Sequence, residues 1–218
     1  MKLLKFLNRG FLNLLFPFHC AGCGERLSPG SSSLFFCRSC ISQFLFHKVR
    51  IKPDTYAVCR YEGIAKKAIH TLKYGKKRFL AQSLGEILTN FYKENLDFER
   101  SRRIDFIVPF PLHRARERER GFNQAELIAV AICKNLNLPL SSNNLIRIRN
   151  TPSQTLIKKS ERLKNLRGAF SIKRPHYFSK KNVLLVDDVY TTGATTDECR
   201  KVLKKAGSKK VLILTFAK

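Results

Sequence analysis

The sequence predicts an α/β protein, a mainly parallel sheet with helices on both faces, preceded by a small cysteine-held module. Three observations carry this. Residues 183–186 form an apolar run that ends in Asp187 and Asp188; a hydroxyl-rich turn follows, then a helix-spaced stripe of Cys199, Val202, Leu203 and Ala206. With Gly207 as the stop and a second apolar run at 211–216, this reads as a strand-helix-strand crossover. Residues 104–110 read as another core strand, and Ala125, Ile128, Ala129, Ile132 and Leu136 beyond it mark the inner face of a helix. Finally, Cys20-x-x-Cys23 is followed by Cys37-x-x-Cys40.

At 218 residues and 44% hydrophobic content the chain can bury a real core, and we divide it near residue 50. Residues 1–50 hold an N-terminal helix and the cysteine module, and 51–218 an α/β domain. Residues 1–18 are apolar and basic, but Asn8, Arg9 and Asn13 interrupt them and no small-residue cleavage site follows, so a signal peptide is disfavoured. The stretch is also too broken to span a bilayer. We expect a short amphipathic helix packed on the module or the core, with weak membrane-surface contact as the second reading.

Two C-x-x-C knuckles can close a tetrahedral thiolate shell around structural Zn²⁺, with Cys20, Cys23, Cys37 and Cys40 as ligands. Gly22, Gly24 and the Ser-Pro-Gly-Ser run at 28–31 supply the turns of a ribbon. Two disulfides are the competing reading, disfavoured without a secretory signature. Cys59, Cys133 and Cys199 are scattered and are expected to pack as small apolar side chains.

The net charge of +26 opposes compaction unless an anionic partner accepts it, although composition alone does not identify a nucleic acid. Distribution adds to this. In the helix after Tyr61, Ala65, Ala68, Ile69 and Leu72 form an apolar stripe beside a basic one of Lys66, His70, Lys73 and Lys77. Tyr74, Lys76, Lys77, Arg78 and Phe79 then mix cations with rings, as binders of single-stranded nucleic acid do, though a solvated lysine face would look similar.

After the strand at 104–110, Arg114, Arg116, Arg118 and Arg120 alternate with small or acidic residues. At a strand's carboxyl end, guanidinium forks could hold pyrophosphate or a nucleic acid phosphate. The alternative is an exposed lattice with Glu117 and Glu119. Residues 145–148 and 170 onward bracket a polar, then cationic segment with Lys158, Lys159 and Arg162, read as a mobile arm or an exposed helix.

The acids lie where a parallel strand meets its crevice, and Thr191, Thr192, Gly193, Ala194 and Thr195 lie where a helix opens with unpaired N–H groups and a positive dipole end. Adjacent acids on a strand point to opposite faces, so one or both could take ribose hydroxyls beside Mg²⁺. An Asx turn with an N-cap is the plain alternative. The whole run resembles the phosphoribosyl pyrophosphate (PRPP) motif of the type I phosphoribosyltransferases, and no G-x-x-x-x-G-K-[ST] of a P-loop nucleotidase occurs.

With the cysteine ribbon, the Lys-Tyr segment, Pro-Leu-His-Arg-x-Arg-x-Arg-x-Arg-Gly-Phe-Asn-Gln-Ala, the Thr-Pro-x-Gln arm and Asp-Asp-Val-Tyr-Thr-Thr-Gly-Ala-Thr, nearly the whole chain resembles the ComF family of competence proteins. The resemblance implies a phosphoribosyltransferase-like fold behind a zinc ribbon, PRPP and Mg²⁺ as ligands, and a cytoplasmic role with imported single-stranded DNA and other competence proteins. It assigns ribose to Asp187 and Asp188, the 5-phosphate to 191–195, and pyrophosphate to Arg114 and Arg116. Lys73, Lys76, Lys77, Arg78, Arg118, Arg120, Lys158, Lys159 and Arg162 are the nucleic acid candidates. Because only the ribbon and N-terminal helix are left to hood the site, binding is favoured over base-specific transfer. An active phosphoribosyltransferase with another acceptor, and a ligand-responsive nucleic acid regulator, remain the alternatives; no helix-turn-helix signature supports the last.

Overall fold

The computed structural model describes residues 19–27, 35–45, 49–75, 77–95, 103–150 and 166–218. The N-terminal helix expected within 1–18, Lys76, and the arm residues Lys158, Lys159 and Arg162 lie outside the described residues.

The elements in chain order are α1 (Arg38–Leu45), β1 (Val49–Lys52), β2 (Thr55–Cys59), α2 (Gly63–Tyr74), α3 (Leu80–Asn95), β3 (Phe106–Pro109) and α4 (Arg114–Arg120). They continue with α5 (Gln124–Leu136), β4 (Leu145–Arg147), β5 (Phe170–Ile172), β6 (Asn182–Val189), α6 (Ala194–Lys205) and β7 (Lys210–Ala217). The main sheet has the order β1-β2-β7-β6-β3. β2, β7, β6 and β3 run parallel, and only the edge strand β1 is antiparallel. β4 and β5 form a separate antiparallel pair.

The central strands are apolar along their length because both faces are covered. Leu184 and Val186 of β6 enter a core shared with α2, α3 and α5, whereas Val183 and Leu185 enter a second core with α6 and β5. This is the parallel, doubly covered α/β arrangement expected from the crossover. The apolar stripe expected on α2 is buried residue for residue: Ala65, Ala68, Ile69 and Leu72. Helix α3, which the sequence reading did not single out, packs on α5 so closely that a Cβ at Gly85 would come within 2.4 Å of the Ala131 Cβ.

The cysteine module shares the first core. Phe36 and Phe44 are fully buried, and the Phe44 ring meets Phe216 of β7 edge-on at 5.2 Å. Lys67 of α2 donates to the Gly22 carbonyl at 2.9 Å, and Phe35 N–H to Ser83 Oγ of α3 at 3.0 Å. Among the described residues, no helix is long and apolar enough to cross a membrane.

Candidate functional site

In a parallel sheet all carboxyl ends share one edge, and three loops with functional side chains leave it here. Pro109 of β3 is in register with Val186 of β6, so the arginine segment after β3 starts beside Asp187. Cys59 of β2 is in register with Ala217 of β7, and from this edge the chain enters α2.

Strand alternation sends the two acids to opposite faces. Asp188 is buried on the α2 side, where Lys73 Nζ, itself mostly buried, stands 2.7 Å from its Oδ2. Burial disfavours the Lys73 ammonium, but the Asp188 carboxylate more than offsets this, so the Lys73 pKa lies above its ordinary value. Asp187 is partly buried on the α6 side, and its Oδ1 accepts the Asp188 N–H at 2.8 Å. Burial and the adjoining Asp188 charge hold its pKa well above the usual carboxylate range, with Lys73 opposing.

The turn after β6 is built around Gly193, whose φ of 80° is in the left-handed region. A Cβ there would stand 2.1 Å from the Tyr190 hydroxyl, so the buried Tyr190 ring closes over the turn. α6 opens at Gly193 with no side-chain cap, and Ala194 N-terminal in its first turn is buried while Thr191 is exposed. Thr192 and Thr195 are half-buried. This turn can present backbone N–H groups and hydroxyls to an anion.

His113 caps α4 by accepting the Ala115 N–H at 3.3 Å. Arg114 is exposed and lines a cleft of ≈ 310 Å³ with Pro109, Glu117, Glu126, Arg147 and Lys173. Arg147, at the end of β4, was not among the sequence candidates. Burial, with help from the charge of Arg116, pushes its pKa down, and the Asp187 charge acts in the opposite sense. Its guanidinium lies 5.6 Å from the centre of the Phe170 ring. Only the pairing of β4 with β5 brings it to the acid edge; a lone arginine in a short strand carries no such signal.

Two basic stretches distant in sequence meet. Arg120 lies over the Tyr74 ring at 5.4 Å and donates to Gln124 Oε1 at 3.0 Å. Arg78 lies over Phe122 at 4.8 Å and donates to the Gly121 carbonyl at 3.0 Å. Lys77 and Arg118 are exposed, as are the rings of Tyr74 and Phe79. Lys73 departs from the expected basic surface: following the buried Leu72 on α2, it is turned inward onto Asp188.

The ligating atoms of Cys20, Cys23, Cys37 and Cys40 all lie within 4.8 Å of one another. Cys20 and Cys40 Sγ are 3.6 Å apart, and Cys23 and Cys37 Sγ 3.7 Å. A tetrahedral shell with Zn–S bonds of about 2.3 Å has sulfur–sulfur edges of about 3.8 Å, so this set fits one metal such as zinc. Burial raises the Cys20 pKa, but N–H groups of Cys37 and Gly22 donating to its sulfur bring it down to about 6, whereas the Cys23 and Cys40 thiols lie above their ordinary value. Cys59 and Cys133 are pushed up by burial to about 12 and about 11, and Cys199 is fully buried. The acid pair serves Mg²⁺ less well: Asp188 already has an ammonium on it, and burial and the Asp188 charge oppose ionisation of Asp187.

No family model matches the chain. Competence protein F of Haemophilus influenzae is 26% identical over 223 residues, spanning 96% of this chain and 94% of that protein. The chain is similar to this competence protein along nearly its whole length. Competence protein ComFC of Bacillus subtilis is 39% identical over 101 residues, 46% of this chain and 39% of that protein. DNA utilization protein YhgH of Escherichia coli is 31% identical over 148 residues, 66% of this chain and 63% of YhgH. Among solved structures, adenine phosphoribosyltransferase of Saccharomyces cerevisiae overlays on 81% of this chain and 88% of its own, at 12% identity and TM-score 0.43. Glutamine PRPP amidotransferase of B. subtilis overlays on 62% of this chain and 25% of its own, at 19% identity and TM-score 0.41.

Proposed function

We propose that this chain is a ComF-like protein that binds PRPP at the carboxyl edge of β6 and acts in natural competence, handling imported single-stranded DNA in the cytoplasm. One observation carries the ligand: an acid pair, with Asp188 held by Lys73, leads into a glycine-opened helix mouth with no side-chain cap. Asp187 and Asp188 would take the ribose hydroxyls and residues 191–195 the 5-phosphate. Arg114 and Arg116 would face the pyrophosphate, whose own oxygens would hold Mg²⁺. The DNA role draws on the relatives' names, competence protein and DNA utilization protein, and on the cation and ring surface of Tyr74, Lys77, Arg78, Phe79, Arg118 and Arg120. Other competence proteins are the expected partners.

Catalysis is the second reading, favoured by Arg147, on which the charges of both Asp187 and Arg116 act. A transferase would displace pyrophosphate from the anomeric carbon, with these cations stabilising the departing charge. Calorimetric titration with PRPP and with an oligonucleotide, separately and together, tests the main reading: saturable heat from both is expected, and none from PRPP would end it. Pyrophosphate release on adding bases or DNA would mark an enzyme.

A further inference from the structure

We propose that Lys73 is a fixed counter-cation for Asp188 and excludes a divalent ion from that carboxylate, so that the pair meets its ligand as an acceptor beside a donor. Magnesium is the metal expected beside paired acids, yet the donor set at this edge does not fit it. Lys73 Nζ is 2.7 Å from Asp188 Oδ2, and the two side chains are only 20% and 8% exposed. An ion bound through that oxygen would lie within a few ångströms of the ammonium, with little water to screen the repulsion.

Lys73 cannot readily swing away. Ala65, Ala68, Ile69 and Leu72 bury one face of α2 and fix its rotation, which carries the next residue, Lys73, to the acid. Removing the ammonium would also leave a mostly buried carboxylate without its partner. Arg120, close enough for its charge to act on Lys73, adds a second cation on the same side. An ammonium has three donors, so one can hold Asp188 while another reaches a hydroxyl that donates to the same carboxylate. Such a pair suits neighbouring hydroxyls on one ring, and this part rests on the sugar phosphate reading.

The test uses the full chain with zinc bound, in buffer freed of other divalent ions, and follows Mn²⁺ binding by electron paramagnetic resonance. Wild type and D188N should bind Mn²⁺ equally. K73M should gain one site, absent from K73M/D188N, while K73R, which keeps the cation, should gain none. Mn²⁺ binding by wild type that D188N abolishes, or a folded K73M that gains no site, would overturn the proposal. Ribose 5-phosphate, which lacks the diphosphate, is titrated in parallel. Wild-type affinity should be unchanged by Mg²⁺, and K73M should bind at least about tenfold more weakly without it. If wild type binds no ribose 5-phosphate, the sugar reading fails by itself, and the Mn²⁺ result still decides the role of Lys73.

Discussion

Asp187 and Asp188 are consecutive on β6 yet serve opposite faces of the sheet, Asp188 against Lys73 of α2 and Asp187 within the field of Arg147 from the β4–β5 pair. They therefore have separate roles, and substitutions should separate them. D188N removes the charge that holds Lys73 and should cost about 1–3 kcal/mol, less than a fully buried pair because Lys73 keeps some water contact. Urea unfolding of D188N, K73M and the double variant gives the coupling: the double variant should be less destabilised than the two single changes summed.

The elevated pKa of Asp187 has a definite sign in stability. A carboxyl whose folded pKa is raised contributes stability below its unfolded pKa and loses it as pH rises through the folded value. D187N, which can still accept the Asp188 N–H, should therefore raise the Tm at neutral pH. Its advantage should shrink as pH falls toward the ordinary aspartate value of 3.8. A gain that is constant from pH 7 to pH 4 would separate it from Asp187 ionisation.

Gly193 is constrained twice, by its φ of 80° and by the Tyr190 hydroxyl. G193A should cost about 1–2 kcal/mol from the backbone alone and push the ring out of the turn. Combining it with Y190A relieves the clash but not the backbone strain. Thermal unfolding of the two variants distinguishes these contributions, and PRPP affinity should fall in both.

The cysteine module is tied to α2 through Lys67 and to β7 through Phe44. Elemental analysis should find one zinc per chain, lost in C40S. That variant should lower the Tm by about 5–10 °C and weaken the sugar ligand, because α2 carries Lys73. D187N should leave the zinc content unchanged.

For single-stranded DNA, Y74A should cost about 1–3 kcal/mol of affinity if a base stacks on the exposed ring. K77A should instead lower the salt dependence by about one unit of slope while weakening all sequences alike. Fluorescence anisotropy over a range of salt concentrations reads both.

Much of this was present in local sequence. The alternation that splits Asp187 from Asp188, the buried stripe of α2 and the Cys20 to Cys40 ligand spacing depend on neighbours within a few residues, and periodicity or spacing reports them directly. Strand pairing, helix rotation and loop return determined the rest. Nothing near Lys73 in the chain says that it meets Asp188, nothing near Arg147 says that it reaches the field of Asp187, and nothing near Arg120 says that it covers Tyr74. Those contacts join segments separated by many residues, and they form because burying the apolar faces of the sheet and helices forces distant side chains onto one edge.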